Sequence, residues 1–581
     1  MSTAENWSAR ATRVMHRVHA RLATRGTVAT GFVSQPEPRS IGSFAKGRQL
    51  CAGNVMFAGH LVEIDQGSLW DIAPPDLSYA DEAQGFGWLD DLAAVGDARA
   101  REMAQAWVWD WINRYGRGKG PGWVPGLTGR RLIRWINHAL FLLRGQDAEA
   151  SDKFYRSLTH QTSFLAKRWH KTPPGLARFE ALTGMIYAGL SLSGMEAHVA
   201  PATRALARAC TDQVDAEGGL VTRNPEDLLD VFTLLTWAAL SLREAGITPP
   251  AAHLDALEKI APTLRSLRHS DGGLARFHGG GRGIDGRLDQ ALATSDVKRV
   301  HADGLSMGFA RLSGGRTSVV VDASAPPKGD ASSNAHASTL AFELTSGRRP
   351  LIVNCGSGSV FGDEWRRAGR ATQSHSTLSI HGYSSSRFGP VGNGRRKAEH
   401  LVDSPTHVPV QIGQAPDGLR FQAGHNGYVL THGLTHARTL EVTYDGRGIV
   451  GEDMLLAMED TDKKRFDKVM DDARLQGIEF AIRFHLHPDS DAALDMGGAA
   501  VSLALKSGEL WVFRHDSNGK LSLEPSVYLE KGRLQPRATK QIVLSGRAMD
   551  YATRIRWSLA KTQDTAVGVR DYTPDHELAF D

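Results

Sequence analysis

The sequence predicts a multidomain protein in which a helical region comes first and an antiparallel β-sandwich follows. At 581 residues the chain is too long for a single hydrophobic core. From about residue 93 to 267, apolar residues recur every three or four positions, as in amphipathic helices. From about residue 300, short runs alternate polar and apolar residues, as in strands. Because the two patterns occupy separate halves, separate domains are favoured over a mixed βαβ sheet.

The first segment, residues 1–60, predicts a basic amphipathic helix followed by an extended lead-in. Such a helix can lie on a membrane surface, so peripheral membrane contact is one interpretation. The other is a helix packed on its own protein with its arginines in solvent. The segment lacks the apolar core of a signal peptide, so the expected compartment is the cytoplasm, with a periplasmic or peripheral membrane location as the alternative. The two stripes of the helix are Arg10, Arg13, Arg17 and Arg21, and Val14, Val18 and Leu22.

The second segment, residues 61–295, predicts a domain of stacked αα-hairpins. Runs such as "DARAREMAQAWVWDWINRY" and "PEDLLDVFTLLTWAALSLREAG" carry the helical spacing and are joined by short Gly/Pro links. A glycine-rich phosphate-binding loop between a strand and a helix is missing from the sequence, which disfavours nucleotide chemistry.

The third segment, residues 296–581, predicts the β-sandwich. Runs such as "RTSVVVDAS", "EFAIRFHLHP" and "AAVSLALKSGELWVFRH" alternate in polarity and are separated by glycine-centred turns. His485 and His487 fall on one face of "RFHLHP", and we expect them to be structural.

Composition excludes several classes of protein. Lysine and arginine number 68 against 64 acidic residues, a net charge of +4, and no Lys/Arg-rich run occurs, which disfavours a nucleic-acid-binding protein. Cys51, Cys210 and Cys355 lie too far apart for a disulfide framework or a cysteine metal motif. No stretch approaches the length of an apolar membrane span, so a transmembrane segment is not expected.

Two histidines stand beside predicted strands. His336 precedes the hairpin "TLAFEL-TSGRR-PLIVNC", and His375 opens the next strand-like run, "HSTLSI". The hairpin turn brings His336 and Asn354 to the same end of the sheet, and we expect His375 to come within reach of them. We predict that this end faces a cleft at the helical domain. The alternative is a hydrogen-bonded interior pair that braces the sheet.

Several motifs resemble those of a known family. The helical region carries "FGWLDDL" and "EGGLVTRNPEDLL", and the second half carries "NAHASTLAFEL", "LIVNCGSG" and "RATQSHSTLSI". Together they are similar to the heparinase II/III-like family of polysaccharide lyases. The resemblance implies an incomplete (α/α) toroid over residues 61–295, an antiparallel β-sandwich over 296–581, and a substrate cleft between them. It also implies β-elimination on an acidic polysaccharide or oligosaccharide.

The resemblance further implies a zinc site in the sandwich. His336, Asn354 and His375 occupy the family's three ligand positions, where the middle position usually holds an aspartate. A neutral asparagine is a poor zinc ligand compared with a carboxylate. We therefore expect a weak zinc site with partial or absent occupancy.

The chemistry of β-elimination selects the candidate catalytic residues. The reaction needs neutralisation of the uronate carboxylate, a base for the C5 proton and an acid for the leaving oxygen. The resemblance assigns part of this work to a toroid tyrosine, but Glu226 and Asp227 stand in that slot here. The candidates are therefore His336, His375, Asp227 as a base, and Tyr383 as a substitute tyrosine.

A wider set of residues is predicted to bind the substrate. Arginines offer a bidentate fork for a carboxylate, tryptophan can stack on a sugar ring, and polar loop residues can rim a cleft. Asn224 and Glu226 have a second interpretation, as an ordinary cap and first turn of a helix. The predicted substrate-binding residues are Arg134, Trp135, Asn137, Arg178, Glu180, Arg223, Asn224, Arg276, His278 and Arg370.

Three classes of function remain open. The first is a lyase that cleaves a uronate-containing polysaccharide. The second is a glycoside hydrolase on the same scaffold, with Glu180 and Asp227 as paired carboxylates. The third is a noncatalytic protein that binds glycan or assembles the cell envelope.

Overall fold

The computed structural model describes residues 7–26, 28–34, 37–65, 67–299, 304–390, 399–516 and 519–564. Helices dominate as far as Ser295, and strands dominate from Phe309 onward. The predicted order, a helical region followed by an antiparallel sandwich, is confirmed.

The helical region is built from helices that pack on their neighbours in sequence. Helix α6 packs on α8 and α9, α9 packs on α10 and α11, and α11 packs on α12. The helices are α1 (Trp7–Leu22), α2 (Phe44–Cys51), α3 (Leu77–Gly85), α4 (Trp88–Val95), α5 (Ala98–Tyr115), α6 (Pro125–Asn137), α7 (Ala139–Leu143), α8 (Ala148–Arg168), α9 (Leu176–Ser191), α10 (Val199–Gln213), α11 (Pro225–Glu244), α12 (Ala251–Leu267) and α13 (Arg287–Ser295). A small hairpin of β1 (Asn54–Phe57) and β2 (His60–Glu63) precedes α3.

Two glycines fix the closest helix contact in this region. A Cβ at Gly129 of α6 would lie 2.2 Å from the carbonyl oxygen of Glu180 on α9. A Cβ at Gly184 of α9 would lie 2.6 Å from Gly129 Cα. The two backbones approach this closely only because neither residue carries a side chain. This contact sets the position of the polar end of α6, which carries Arg134, at the cleft described below.

Helix α1 packs on the helical region with only one face. His16 and Ala20 are buried, and the His16 ring contacts the edge of Phe164 on α8. Val14 and Val18, on another face, are 54% and 42% exposed. Of the helices in the described ranges, none is both long and apolar enough to cross a membrane.

The second half consists mainly of two antiparallel sheets of eight strands each. One has the order β10-β11-β12-β13-β20-β17-β16-β15, and the other β18-β19-β14-β6-β5-β4-β3, with β7 also paired to β14. Helices α14 (Asp363–Arg370), α15 (Val429–His432) and α16 (Asp460–Asp472) interrupt the strands, and β8 pairs with β9 separately. The strands are β3 (Phe309–Gly314), β4 (Thr317–Asp322), β5 (Phe342–Ser346), β6 (Arg349–Val353), β7 (Leu378–Ile380), β8 (Arg387–Phe388), β9 (Leu401–Val402), β10 (Val410–Ala415), β11 (Gly418–Tyr428), β12 (Leu434–Thr443), β13 (Gly448–Leu456), β14 (Ile478–Leu486), β15 (Ser490–Asp495), β16 (Ala500–Leu505), β17 (Leu510–His515), β18 (Lys520–Tyr528), β19 (Arg537–Ala548) and β20 (Ala552–Gln563).

Aromatic side chains fill the space between the two sheets. Phe342 of β5 and Trp557 of β20 stack with ring centroids 5.9 Å apart, and Phe484 of β14 meets Trp557 edge-on at 4.7 Å. All three are at most 2% exposed. This packing holds the ends of β5, β6 and β14 in place, where the candidate histidines lie.

Arg223 joins the helical region to the sandwich. It sits just before α11 with a positive φ of 50° and is buried. Its guanidinium donates to Asp322 at the end of β4 at 2.7 Å. It also donates to four backbone carbonyls of the sandwich, those of Met307, Gly308, Ser324 and Ala325.

Candidate functional site

A cavity of about 850 Å³ lies between the helical region and the sandwich, and we call it the interdomain cleft. Among the described residues that line it, basic side chains outnumber carboxylates by eleven to eight. The basic residues are Lys46, Arg134, Arg276, Arg282, Arg287, Arg348, Arg349, Lys506, Lys531, Arg533 and Arg537. The acidic residues are Glu82, Asp90, Asp91, Glu226, Asp271, Asp285, Asp489 and Glu530.

Three side chains in the cleft wall combine a cation, a phenol and an imidazole. The Arg276 guanidinium lies over the Tyr528 ring at 4.1 Å and donates to the Asn354 carbonyl. The His487 ring meets the Tyr528 ring edge-on, with centroids 5.0 Å apart. Burial raises the pKa of Tyr528 to about 12 and lowers the pKa of His487 below its ordinary value. Both groups are therefore uncharged at neutral pH.

The sequence predicted Arg276 as a cleft residue but not its two neighbours. Tyr528 ends β18, far along the chain from the family motifs, and His487 was expected to be structural. His487 follows β14 directly, where the strand alternation no longer constrains the side chain. The sequence did contain one indication for His487: it stands one residue beyond the strand, next to Pro488. Loops that follow strands often carry binding residues.

The helical wall of the cleft is organised around Asp90 of α4. Its carboxylate contacts the Arg134 guanidinium at 3.2 Å and His138 Nε2 at 2.8 Å, and Ser40 Oγ donates to it at 2.8 Å. Burial alone would raise the pKa of Asp90, but Arg134 and His138 hold it below its ordinary value. Arg134, predicted to bind substrate, therefore lines the cleft with its charge partly compensated.

An ion pair crosses the cleft. Lys531, in the turn after β18, contacts Glu226 in the first turn of α11 at 2.5 Å. Glu226 also accepts from the Gly281 backbone N–H at 2.8 Å. Its neighbour Asp227 is half-buried, and burial together with Asp230 raises the pKa of Asp227 to about 7. Asp227 is therefore the carboxyl group in this region best suited to exchange a proton at neutral pH, although the cleft is lined by Glu226 instead.

His336 and His375 form a direct pair, as the hairpin geometry predicted. His336 Nδ1 lies 2.9 Å from His375 Nε2, and His375 Nδ1 lies 2.8 Å from the Ala371 carbonyl. Since a carbonyl only accepts, His375 donates through Nδ1, and its Nε2 accepts from His336. Both side chains are sealed from solvent, at 2% and 0% exposure, so the open edge expected for a site in the cleft is missing at this pair.

The surroundings of the pair are polar, and His336 Nε2 is buried there without a hydrogen-bond partner among the described residues. His278 Nδ1 accepts from the His336 backbone N–H at 3.2 Å, and His278 Nε2 lies 3.4 Å from Asp322. Burial, followed by the neighbouring histidines, lowers the pKa of His336 well below its ordinary value. His278 was predicted to rim the cleft, but it is 1% exposed and braces the loop before β5.

The predicted zinc ligands do not fit a zinc ion in this arrangement. His336 Nδ1 and His375 Nε2 are hydrogen-bonded to each other, and the other His336 ring nitrogen, Nε2, is buried without a partner among the described residues. The Asn354 side-chain oxygen accepts from the Ser376 backbone N–H at 3.0 Å. Within the part of the chain that the structure describes, no cluster of three or more His, Cys, Asp or Glu side chains could hold a metal. Zinc binding at this position stays a prediction.

Two further predicted residues lie away from the cleft. Arg370 is 1% exposed and donates to the carbonyls of Ala335, Ser332 and Glu399 at 2.8–2.9 Å, so it braces the loop that carries His336. Tyr383 is 47% exposed, and its ring meets His432 edge-on at 4.5 Å. Neither side chain lines the cleft.

Within the helical region, three predicted substrate contacts are structural. Trp135 is fully buried and stacks on Phe154 with centroids 5.5 Å apart, so it has no face for a sugar. Glu180 is 6% exposed and pairs with Arg130 at 2.6 Å, which removes it as a free partner of Asp227. Arg178 donates to the Thr172 carbonyl at 3.1 Å.

The residues before α11 are also structural. The Asn224 side chain accepts from the backbone N–H groups of Glu226 and Asp227 at 2.9 and 3.3 Å. It is therefore the N-cap of α11, which was the second interpretation of the sequence. Arg223 was predicted to bind a substrate carboxylate, but its donors are taken up by the sandwich as described above. Asn137 lies at the end of α6, outside the cleft, and its buried side-chain amide has no hydrogen-bond partner among the described residues.

Comparison with known proteins identifies the family. The family Heparinase II/III-like, C-terminal, matches residues 296–558. The "FtsZ-localized protein C" of Caulobacter vibrioides (strain NA1000 / CB15N) is 30% identical over 550 residues, which cover 92% of this chain and 91% of that protein. The chain belongs to the heparinase II/III-like family.

Solved structures agree with this assignment at the level of the fold. A heparinase III crystal structure matches with a TM-score of 0.67 and 12% identity, over 93% of this chain and 88% of that one. A heparan sulfate lyase HepC mutant from Pedobacter heparinus matches with a TM-score of 0.57 and 14% identity, over 96% and 89% of the two chains. This heparinase II/III-like protein therefore has the toroid and sandwich scaffold of a polysaccharide lyase.

Proposed function

We propose that this protein binds an acidic polysaccharide of the cell envelope in its interdomain cleft. The observation that carries the proposal is the cleft itself, about 850 Å³ in volume, with eleven basic side chains against eight carboxylates. Excess positive charge on low-dielectric walls attracts a polyanionic chain and raises its association rate. The relatives with this scaffold whose names state a substrate include a heparan sulfate lyase, which acts on an acidic polysaccharide.

The name of one curated relative supports a location with FtsZ. Its name places it with FtsZ, and its similarity extends over almost the whole of both chains. On this proposal the protein binds glycan where FtsZ is located. The sealed histidine pair favours a binding function, because His336 and His375 have no access to a sugar in the cleft.

A second candidate function, β-elimination, is favoured by the group around Tyr528. Arg276 would help to neutralise a uronate carboxylate, the uncharged His487 would accept the C5 proton, and the Tyr528 hydroxyl would protonate the leaving O4. The C4–O4 bond breaks as the C4–C5 double bond forms, and the histidine and tyrosine then exchange their protons with water. This mechanism uses the cleft wall and leaves the His336–His375 pair as a brace.

One experiment separates these functions. The purified protein is titrated with a panel of acidic polysaccharides, and binding, reducing ends and the ultraviolet absorbance of an unsaturated uronate are followed together. Binding without either product supports the first candidate, and absorbance that disappears in Tyr528→Phe supports the second. New reducing ends without absorbance would identify a hydrolase, and the absence of binding to every acidic chain would overturn both candidates.

We also propose that helix α1 contacts a membrane surface. Val14, Val18 and Leu22 are 42–54% exposed on a helix that also carries arginines, although apolar residues of a packed helix normally face the protein. Vesicles containing anionic lipid should bind the protein, and Val14→Asp/Val18→Asp should abolish the binding without changing the melting temperature. Equal binding by the variant would refute the assignment.

A further inference from the structure

One edge of the sandwich is open to solvent. Strand β10 (Val410–Ala415) lies at the end of its eight-stranded sheet, and among the described strands only β11 pairs with it. Its central residues, Gln411 to Gln414, are exposed, and Ile412 is 41% exposed. The strand also lies apart from the interdomain cleft, since its residues are not among those that line the cavity. We call the unpaired side of β10 the open edge.

The register of β10 identifies the hydrogen-bonding groups at the open edge. β10 pairs with β11 residue by residue without a bulge, and the next pair in this register is Pro409 and Gly424. The Gly424 N–H donates to the Pro409 carbonyl at 3.3 Å, so this is a hydrogen-bonded pair. Because hydrogen-bonded pairs alternate along antiparallel strands, every second residue from Pro409 bonds to β11. Val410, Ile412 and Gln414 therefore direct their N–H and C=O groups to the open edge.

The other outermost strands of the two large sheets are protected against pairing. Natural sheet edges usually carry charged side chains or proline, or are covered by another element. β15 carries Asp491 and Asp495. β18 carries Lys520, Glu524 and Pro525, and helix α12 packs on β3. β10, with the sequence VQIGQA, has no charged residue and no proline, so its edge is available to another strand.

We propose that β10 pairs with β10 of a second copy of this chain, so that the two sheets continue across a twofold axis. The outward groups of the strand set the register. Ile412 lies on the axis opposite its own copy, and Val410 lies opposite Gln414. Each of these three opposed pairs exchanges two N–H···O bonds, as in an ordinary antiparallel ladder. Such an interface uses the same surface of both copies, which is the form that closed dimers take.

The open edge suits a second copy better than a charged peptide. All six residues of β10 are uncharged, so the strand offers no charge complementarity to an acidic or basic partner and no repulsion to its own copy. Pairing of Ile412 with its own copy also covers an apolar side chain that is exposed in the single chain. One strand pair is small beside a standard interface of about 1,600 Å², so we expect a dimer with micromolar affinity.

The dimer has a consequence for the proposed glycan-binding function, although it does not depend on that function. Two copies carry two interdomain clefts. A polysaccharide that reaches both clefts would bind more tightly than a short oligosaccharide, without any new contact in either cleft.

The proposal is tested by sedimentation equilibrium of the full-length protein from low to high micromolar concentration. The average mass should rise towards twice that of the single chain. Ile412→Lys sets two like charges opposite each other on the axis and should keep the protein monomeric with an unchanged melting temperature. The control is Val450→Lys on the central strand β13, 50% exposed, which should dimerise like the wild type. A monomer at every concentration would overturn the proposal and leave the edge to a different protein or to none. Equal masses for the two variants would also overturn it.

A second measurement tests the register by crosslinking. In the proposed dimer the two Ile412 Cα atoms are about 5.5 Å apart, within the range of a disulfide. The two copies of Gln414 are four residues apart along the strands, about 14 Å, which is too far. Ile412→Cys should therefore form a covalent dimer under mild oxidation, and Gln414→Cys should not; Cys51, Cys210 and Cys355 are buried and should not interfere. Equal crosslinking of the two variants, or none in either, would refute the pairing.

Discussion

The histidine cluster of the sandwich and the interdomain cleft contain similar side chains but differ in their access to solvent. His278, His336 and Arg370 are at most 2% exposed, and their hydrogen bonds run to the protein itself. In the cleft, Arg276 and His487 have comparable neighbours but border a cavity of about 850 Å³. The comparison teaches that side chains of the same types can be sealed into a hydrogen-bonded brace in one region and border an open cavity in another, so residue type alone does not identify a ligand-facing surface.

The largest expected effect is the loss of Arg223. Arg223→Ala removes five hydrogen bonds and leaves the fully buried Asp322 carboxylate with no cationic partner among the contacts described, because burial lowers the pKa of His278, 3.4 Å away, and keeps that imidazole neutral. We expect the free energy of unfolding to fall by about 3–5 kcal/mol, as for other broken buried ion pairs. Urea unfolding followed by circular dichroism measures it. The matched control is Arg287→Ala, whose 27% exposed ion pair with Asp230 should contribute under about 1 kcal/mol. Equal effects of the two variants would contradict the assignment of Arg223 as the interdomain brace.

Buried histidines should make stability depend on pH. Burial lowers the pKa of His253 to about 4 and that of His485 to about 3. The unfolded chain takes up their protons first, so their contribution is complete above pH 6.5 and is lost as the pH falls towards those values. In this pH window, each of the two histidines should lower the free energy of unfolding by about 1.4 kcal/mol for every pH unit of acidification. Urea unfolding at pH 7 and pH 5 tests this, and His253→Gln should show a shallower slope. A flat profile in the wild type would contradict the burial of these groups as neutral imidazoles.

The third prediction sets the sealed pair directly against the cleft. His336→Ala breaks the bond to His375 and should lower the free energy of unfolding by about 1–3 kcal/mol, without changing glycan affinity per folded molecule. His487→Ala should instead weaken glycan binding with little change in the free energy of unfolding, because the His487 side chain is 11% exposed and borders the cleft. Thermal unfolding and glycan titration are measured on both variants. Loss of binding or turnover in stable His336→Ala would return His336 to the functional site.

The fold could be predicted from the sequence much further than the site. Helical and strand periodicities reflect burial on one face, which local sequence encodes, and the family motifs identified His336 and His375 as neighbours. Their exposure depends on what covers them, and the covering residues, such as His278 and Arg370, come from other segments. Trp135 shows the same limit, because a helix pattern does not show whether a tryptophan faces a cavity or Phe154. Tyr528 is far from every motif, and only the strand order β18-β19-β14 brings it beside His487.

A smaller effect is expected from a single cation of the cleft. Arg282 is 26% exposed and pairs with Asp285 at 3.1 Å and Asp271 at 3.5 Å. Arg282→Ala should weaken the binding of an acidic polysaccharide about two- to fivefold and reduce the salt dependence of binding, because a partly solvated charge contributes under about 1 kcal/mol. Titrations at low and high salt measure both quantities. The control is Arg554→Ala, 55% exposed on β20, which should leave binding unchanged. An equal loss in both variants would point to nonspecific attraction in place of a cleft.

The smallest expected effect is that of zinc. A ligand that binds only the folded state at a hundredfold excess over its Kd adds about 2.7 kcal/mol to stability and raises the melting temperature measurably. At the His336–His375 pair the imidazole nitrogens are bonded to each other, and Asn354 supplies no charge to offset the cation. We therefore expect zinc addition or chelator treatment to shift the melting temperature by less than about 1 °C. Differential scanning calorimetry with and without zinc tests this, with elemental analysis of protein purified without chelators. A rise of several degrees in the melting temperature that disappears in His375→Ala would show that the His336–His375 pair opens to bind the metal. The pair would then be a functional site and not a sealed structural brace.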